Sequence, residues 1–180
     1  MLIALIGYRG AGKTTVAKLV ARRLGWHFVD SDADIARVAD ISIKEIFSVE
    51  GEDGFRRRET IMLTRLLRKN KIVLALGGGV VTKQENRSQL HQAAIRGNCE
   101  VIWLRAPYGT LWARIQSDDM TPFTRPNLTG FGGVEEVQQM VDEREPLYQE
   151  CASFSVNTEN KTIEDVTEEI VMWFKRKHPD

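Results

Sequence analysis

Residues 7–14 read GYRGAGKT, and this stretch limits the folds open to the chain more than any other. It fits the pattern G-x-x-x-x-G-K-[ST], in which backbone amides converge on phosphate oxygens, the lysine reaches the β- and γ-phosphates, and the hydroxyl residue binds Mg²⁺. An apolar run from Leu2 to Ile6 precedes it, and apolar residues at helical spacing follow Lys13. A strand, a glycine loop and a helix N-terminus in this order form an anion site. The alternative is a glycine-rich turn, and by chance this pattern would occur about once in a hundred chains of this length.

Length and charge indicate one compact domain and argue against a broad nucleic-acid or membrane surface, although a local basic pocket is compatible with them. Its 180 residues are enough for one domain, residues 1–180, and the 25 basic residues balance the 25 acidic ones. Two cysteines, Cys99 and Cys151, lack metal-site spacing, so we expect buried thiols rather than a disulfide. The first apolar run lacks the features of a signal peptide, and no run reaches the ~20 apolar residues of a membrane span. We therefore expect a soluble, cytoplasmic protein with no nucleic-acid or membrane partner.

Short apolar runs alternate with longer segments of helical periodicity. This alternation predicts the α/β class, with a five-stranded parallel sheet flanked by helices on both faces. The predicted strands are Leu2–Ile6, His27–Val29, Ile72–Leu76, Val101–Leu104 and Phe154–Asn157. Capping signals mark three helix starts: Ser42 with Glu45, Thr82 with Glu85 and, in a weaker form, Thr162 with Asp165.

Residues 116–133 read QSDDMTPFTRPNLTGFGG and show little periodicity. A loop longer than ~12–15 residues in a compact domain is typically a functional lid or a disordered segment. Beside a phosphate site we favour a lid, with a plain surface insertion as the alternative.

Two aspartates, Asp30 and Asp32, follow the second predicted strand in the sequence FVDSDADI. Ligands of open α/β sheets bind at the carboxyl ends of the strands, so both side chains are expected near the phosphate loop. One carboxylate could join the shell of Mg²⁺ while the other orients or deprotonates a hydroxyl. An Asx turn with a helix N-cap explains the same residues equally well.

The third strand ends in three glycines, Gly77, Gly78 and Gly79, whose amides carry no shielding side chain. Such a stretch lets a ligand approach the main chain, although flexibility or close packing would also use glycine. In GEDGFRRRE, Arg56, Arg57 and Arg58 lie about 100° apart on a helix, so at most one or two can face one pocket. Arginine binds planar carboxylates through its fork of donors, and we expect Arg57 to be solvated.

The motifs GYRGAGKT, DSD, GEDGFRRRE, GGGVV, TRPNLTG and REPLY occur in the order and at the distances of shikimate kinases. The chain resembles this family from Leu2 to its final helix. The resemblance implies a five-stranded P-loop kinase fold, with the lid at about residues 116–133 and a substrate-binding helical region at about 32–60. It implies transfer of the ATP γ-phosphoryl group to the 3-hydroxyl of shikimate, with Mg²⁺, in the biosynthesis of aromatic amino acids.

The resemblance also assigns roles to matched residues. It makes Lys13, Asp32 and Arg125 catalytic, Arg125 being the lid arginine, and it places Thr14 and Asp30 at Mg²⁺. Substrate binding falls to Asp32, Arg56, Gly77, Gly78, Gly79 and Arg144, with Arg56 and Arg144 on the carboxylate and Glu59 holding Arg56. Nucleotide binding falls to Gly10, Ala11, Gly12, Lys13, Thr14, Thr15, Arg114 and Asn157.

Some of these assignments have ordinary alternatives or departures. Arg114 could instead be a salt-bridging surface residue, and Phe47 and Phe55 could be core rather than walls of the substrate pocket. After Arg125 the chain reads Pro-Asn-Leu, where many relatives carry Pro-Leu-Leu, and this difference bears on the contacts of the closed lid.

Three other functions compete with this interpretation. A gluconate kinase of the same branch would share Lys13 and Thr14 but would not need two arginines for a carboxylate. A nucleoside-monophosphate kinase fits the substrate residues less well. A non-catalytic nucleotide binder would be expected to lose one of Lys13, Asp30, Asp32 and Arg125, and all of them are present. The family expectation for the oligomeric state is a monomer.

Overall fold

The structure is a computed structural model that describes residues 1–117 and 133–179. Arg125 and all but the ends of the predicted lid lie outside these residues. The strands are β1 (Leu2–Ile6), β2 (His27–Asp30), β3 (Ile72–Ala75), β4 (Cys99–Arg105) and β5 (Phe154–Asn157). The helices are α1 (Lys13–Leu24), α2 (Ser31–Ala39), α3 (Ile43–Leu66), α4 (Gln84–Ile95), α5 (Tyr108–Gln116), α6 (Gly133–Cys151) and α7 (Ile163–Lys177), with a short 3₁₀ turn at Val80–Thr82.

The five described strands form one parallel sheet in the order β2-β3-β1-β4-β5. In β1, Ile3 pairs with Val73 of β3 on one side and with Glu100 of β4 on the other. Because every strand runs the same way, all five carboxyl ends meet at one edge of the sheet. The predicted fold class is confirmed, and the five strands occur where the sequence predicts them, within two residues at each end.

The core lies on both faces of the sheet, and β1 contributes to each. Leu2, Ala4 and Ile6 pack on one face, while Ile3 and Leu5 pack on the other. All five side chains are fully buried. A strand covered on both faces has no polar side to alternate with, which is why β1 reads as an uninterrupted apolar run.

Two of the three predicted capping boxes are confirmed. At the start of α3, the Ser42 hydroxyl accepts from the Glu45 amide, and the Glu45 carboxylate accepts from the Ser42 amide. Thr162 and Asp165 form the same reciprocal pair at the start of α7.

The third predicted box, Thr82 with Glu85, is wrong. The Thr82 hydroxyl donates to the Gly79 carbonyl at 2.7 Å, and α4 begins two residues later with Lys83 at its N-cap. The box is absent because Thr82 ends the 3₁₀ turn after the glycines, so that Lys83 and not Thr82 is the N-cap of α4.

The helix α3 contains one break, at Gly51, where φ is 67° and ψ is −175°. This backbone conformation is essentially restricted to glycine. Across the break, the Arg58 guanidinium bonds both carboxylate oxygens of Glu50, with Nη2 to Oε1 at 2.6 Å. The second part of α3, which begins after the break, carries Arg56 and Glu59 towards the edge of the sheet.

Both cysteines are free thiols buried in the core, as predicted. Burial raises the pKa of the Cys99 thiol to about 12 and that of the Cys151 thiol to about 11. Neither thiol is therefore ionised near neutral pH, which makes both poor nucleophiles. Among the described helices, none combines the length and the apolar character that crossing a membrane requires.

Replacing Gly51 with alanine should reduce the free energy of unfolding by about 2–3 kcal/mol, because the new Cβ imposes a glycine-only backbone conformation. The matched control is Gly25→Ala, since Gly25 has an ordinary left-handed conformation (φ 66°, ψ 31°) and, like Gly51, has no atom within 4 Å of an added Cβ. Gly25→Ala should cost about 1 kcal/mol. Urea unfolding of both variants compares them, and an equal or smaller loss for Gly51→Ala would contradict this reading of the break.

Candidate active site

The phosphate loop, residues 7–14, joins β1 to α1 at the carboxyl edge of the sheet. Gly12 caps α1 in a left-handed conformation without a side-chain hydrogen bond, and the first turn of the helix contains no acidic residue. The first amide to bond within the helix is that of Val16, to the Gly12 carbonyl. The amides of the first turn and the positive end of the helix dipole are therefore available to bind an anion.

Glycine is required in this loop for space as well as for backbone angle. Gly7 has φ of 141° and Gly10 has φ of 79°. A Cβ on Gly7 would collide with the Leu104 carbonyl of β4, and one on Gly10 would lie 2.8 Å from the Leu111 carbonyl of α5. The loop is therefore packed tightly against β4 and α5.

Lys13 folds back over the same loop. Its Nζ donates to the Gly7 carbonyl at 2.8 Å and to the Tyr8 carbonyl at 2.9 Å. These bonds hold a positive charge beside the helix N-terminus, where the sequence predicts the phosphates.

Asp30 forms the helix N-cap that is one of its two predicted roles, and its second carboxylate oxygen contacts Thr14. Its Oδ1 accepts from the amides of Asp32 (3.0 Å) and Ala33 (3.2 Å), so it is the N-cap of α2. Its Oδ2 accepts from the Thr14 hydroxyl at 2.9 Å. The two oxygen groups predicted for Mg²⁺ are thus in contact at the mouth of the phosphate loop, and oxygen is the ligand this ion prefers. Asp34 is an ordinary helix carboxylate that pairs with Arg37.

A second pocket, here called the arginine pocket, opens beside the phosphate loop. Asp32 lines it from the first turn of α2 and is 6% exposed. Phe47 and Phe55 stack on each other at 4.8 Å and also form part of its wall. The full lining is Tyr8, Arg9, Asp32, Ile43, Phe47, Phe55, Arg56, Glu59, Gly77, Gly78, Gly79 and Arg144.

Arg56 is the arginine of the RRR run that faces this pocket, while Arg57 is exposed, as predicted. Its Nη1 donates to buried Glu59 at 2.9 Å, and its Nε and Nη2 donate to Glu52. Burial lowers the pKa of Arg56, but the carboxylates of Glu59 and Glu52 more than offset this, so the net shift is upward. The side chain is therefore a fixed cation, with Glu59 holding it as predicted.

Arg144 reaches the same pocket from α6, and its surroundings differ from those of Arg56. It is 8% exposed, yet among the described residues it forms no ion pair with a carboxylate. Its Nη1 lies 3.5 Å from the Gly78 carbonyl, its Nη2 lies 3.5 Å from the Met140 sulfur, and its Cζ lies 5.7 Å from the centre of the Tyr8 ring. The groups that contact this buried positive charge are therefore uncharged and neutralise it only weakly.

The three glycines line the pocket from the end of β3. The Gly77 amide donates to the Ser31 hydroxyl at 3.1 Å, so this amide already has a partner in the protein. For the amides of Gly78 and Gly79, the described part of the chain supplies no hydrogen-bond acceptor. An added Cβ at Gly77 would lie 2.6 Å from Asp32 Oδ1, and one at Gly79 would collide with the Arg56 guanidinium. Close packing thus requires glycine at both positions.

The residues predicted at the adenine meet beside the phosphate loop. Arg114 of α5 donates to the Thr158 hydroxyl at 2.9 Å, to the Thr158 carbonyl at 2.8 Å and to the Gly10 carbonyl at 3.4 Å. Asn157 is exposed and caps the following turn through the Glu159 amide. The salt bridge considered as the alternative for Arg114 is not formed with any described residue.

Three residues of the site were not predicted from the sequence. Tyr8, buried at 3% exposure, lies between two guanidinium groups, with Arg9 at 5.8 Å and Arg144 at 5.7 Å from its ring centre. Arg9 in turn donates to buried Glu136 of α6 at 3.4 Å. The phosphate loop is thereby joined to the helix that carries Arg144. No local pattern marks this pair, since 127 residues separate its members.

A phosphate loop opening a parallel α/β sheet, with a charged pocket at the same edge, defines a P-loop kinase that acts on a small acceptor molecule.

Comparison with known proteins identifies the family. A family model described as shikimate kinase matches residues 9–175. The chain is 41% identical over 158 residues to the shikimate kinase of Neisseria gonorrhoeae, covering 88% of each chain. It is 38% identical over 170 residues to that of Burkholderia thailandensis, covering 94% of this chain and 88% of the relative. The structure of the Acinetobacter baumannii shikimate kinase in complex with shikimate superposes with a TM-score of 0.88 at 34% identity, covering 99% and 95% of the two chains. The chain therefore belongs to the shikimate kinase family, as its motifs predict.

Glu59→Gln should cost about 3 kcal/mol of the free energy of unfolding, because it removes a 1%-exposed carboxylate from the buried Arg56 guanidinium. Glu52→Gln removes the other carboxylate on the same arginine, and it should cost less than about 1 kcal/mol because Glu52 is 58% exposed. Urea unfolding measures both. Equal losses would show that burial does not distinguish the two partners of Arg56.

Proposed function

We propose that the protein transfers the γ-phosphoryl group of ATP to the 3-hydroxyl of shikimate, which yields shikimate 3-phosphate and ADP for aromatic amino-acid biosynthesis. The observation that carries this proposal is Arg144, a buried guanidinium without a carboxylate partner among the described residues. Shikimate supplies what this pocket lacks, because the molecule carries one carboxylate and several hydroxyls.

The carboxylate is placed between Arg144 and Arg56. A buried charge is unfavourable unless it is paired and hydrogen-bonded, so Arg144 should bind an anionic ligand strongly. Arg56 is already paired with Glu59, yet its guanidinium packs against Gly79 at the pocket surface. A planar carboxylate matches the donor forks of two such arginines.

The hydroxyls of the acceptor are placed against Asp32 and the glycine amides. Asp32 lies at the carboxyl end of β2, between the phosphate loop and the arginine pocket. The three glycines at 77–79 are here called the glycine turn. The amides of Gly78 and Gly79 are its available donors, while the Gly77 amide is already bonded to the Ser31 hydroxyl. Asp32 would orient the attacking hydroxyl and accept its proton as the bond to phosphorus forms.

The triphosphate of ATP is placed on Gly10, Ala11, Gly12, Lys13, Thr14 and Thr15. Phosphoryl transfer depends mainly on positioning and charge neutralisation, and Lys13 with the α1 N-terminus supplies both for the phosphates. Arg114 and Asn157 would flank the adenine. Arg125, in the lid and outside the described residues, is proposed to add a further positive charge on closure.

Mg²⁺ is proposed as the cofactor, held by the Thr14 hydroxyl and the Asp30 carboxylate. Their contact at 2.9 Å places two hard oxygen groups beside the phosphate loop. When bound, the ion would neutralise charge on the ATP phosphates.

We further propose that the enzyme is a cytoplasmic monomer of one domain with a lid at 116–133. The proposed substrates, ATP and a small polar acid, are water-soluble molecules that would be available in the cytoplasm. The large apolar side chains that are exposed in the described part of the chain are scattered over different helices, for example Val49 on α3, Ile95 on α4 and Met172 on α7. Single exposed apolar side chains of this kind are common on monomers, and within residues 1–117 and 133–179 they support the monomer proposal.

The experiment that tests the proposal is ADP release from Mg-ATP with shikimate, gluconate, a nucleoside monophosphate or no acceptor. Shikimate alone should stimulate release well above the rate without acceptor. Stimulation by gluconate instead would assign the pocket to a related kinase. Tight ATP binding without stimulation by any acceptor would favour a non-catalytic binder.

Asp30→Asn separates the two roles of Asp30. Asparagine caps helices about as well as aspartate, so the melting temperature should change by only a few degrees. Loss of the charge should raise the Mg²⁺ concentration for half-maximal activity at least tenfold. A titration of activity with Mg²⁺ measures this, and an unchanged requirement would remove Asp30 from the metal site.

A further inference from the structure

The carbonyl oxygen of Gly78 receives two donors from the same helix. The Tyr148 hydroxyl of α6 donates to it at 2.5 Å, and Arg144 Nη1 lies 3.5 Å from it. Residues four apart lie on the same face of a helix, so the geometry of α6 brings both side chains to one acceptor. A single peptide group thus links the carboxylate-binding arginine to the glycine turn.

Packing around its ring fixes the position of the Tyr148 hydroxyl. The side chain is 2% exposed, and its ring stacks on Trp103 of β4 with ring centres 5.9 Å apart. Burial raises the pKa of the Tyr148 hydroxyl, although the Arg144 charge offsets part of the shift. The hydroxyl therefore remains protonated, and remains a donor, throughout the working range of pH.

The glycine turn needs such external restraint because its residues have no side chains to limit rotation. Ser31 holds its first amide, at Gly77, and Thr82 holds the Gly79 carbonyl. Tyr148 restrains the peptide between these two points. In a trans peptide the C=O and N–H bonds point in opposite directions, so fixing the Gly78 carbonyl also fixes the direction of the Gly79 amide.

We propose that Tyr148 is a positioning residue for the acceptor. By holding the Gly78 carbonyl, it sets the direction of the Gly79 amide and the place of the Arg144 guanidinium, so that the hydroxyl and carboxylate sites keep a fixed separation. This inference rests on the proposed function, because the two sites are those assigned to shikimate.

The test is Tyr148→Phe, which removes the hydroxyl and keeps the ring that stacks on Trp103. The KM for shikimate, and its Kd from calorimetry, should rise roughly three- to tenfold, the effect of losing one buried hydrogen bond. The KM for ATP should stay within about twofold of wild type, because the phosphate loop is not touched. Tyr108→Phe is the matched control: Tyr108 is 41% exposed, and its loss of a hydroxyl should leave both constants unchanged.

A merely structural role would lower stability and leave the shikimate constants unchanged, and that result would overturn the proposal. Calorimetry at 10 °C keeps the test valid if Tyr148→Phe melts at a lower temperature than wild type. An equal rise in both KM values would also overturn it, since positioning by Tyr148 concerns the acceptor alone.

A double-mutant cycle with Arg144→Lys provides a second, independent test. Each single variant should raise the Kd for shikimate by a certain factor. If both residues act through the Gly78 carbonyl, the double variant should raise the Kd by clearly less than the product of these two factors. Fully multiplicative effects would overturn the shared role. Failure of the wild-type protein to bind or phosphorylate shikimate would instead overturn the proposed function, and the two failures are therefore distinguishable.

Discussion

The burial of the Arg144 guanidinium is the constraint on which the rest of the site depends. A charge taken out of water needs an opposite charge, and Arg56 has one in Glu59. Arg144 forms no ion pair with a described residue and contacts a carbonyl, a sulfur, the face of Tyr8 and the Tyr148 hydroxyl instead. An unpaired buried charge is unfavourable for folding, and the same property would favour the binding of an anion. The same logic separates the two arginines: Arg56 is fixed in place by protein carboxylates, and Arg144 is proposed to be paired by the carboxylate of the substrate.

Parallel strands make this arrangement possible because they deliver every functional loop to one edge. The phosphate loop follows β1, the Asp30–Asp32 turn follows β2, and the glycine turn follows β3. Helices α3 and α6 then bring the two arginines from the other side of the pocket. Glycine occurs where these pieces approach too closely for a side chain, as at Gly7 against Leu104 and at Gly77 against Asp32. The contact of Arg9 with Glu136 joins the phosphate loop to α6, so the ATP site and the arginine pocket share a wall.

The fold was predictable because its signals are local. The run Leu2–Ile6 is apolar throughout since both faces of β1 are covered, and the Ser42–Glu45 box requires only four consecutive residues. The Thr82 prediction failed because Thr82 belongs to a 3₁₀ turn, so that α4 begins one residue later than predicted, with Lys83 as its N-cap. The distant pair Arg9 and Glu136 has no sequence signal, whereas Tyr148 could have been found from its i, i+4 spacing to Arg144. The family motifs pointed to residues that do line the arginine pocket, such as Arg56 and Arg144, but the surroundings that distinguish these two arginines exist only in three dimensions.

The most direct measurement compares shikimate with its neutral carboxamide as acceptors for the wild-type enzyme. The amide keeps the ring, the hydroxyls and nearly the same shape, so it removes little besides the charge that Arg144 is proposed to bind. Because the amide cannot form this buried charge pair, its kcat/KM should be lower than that of shikimate by about a hundredfold or more, while the KM for ATP stays unchanged. If the enzyme used the amide within about threefold of shikimate, Arg144 would not be completed by the carboxylate of the substrate, and its burial would need another explanation.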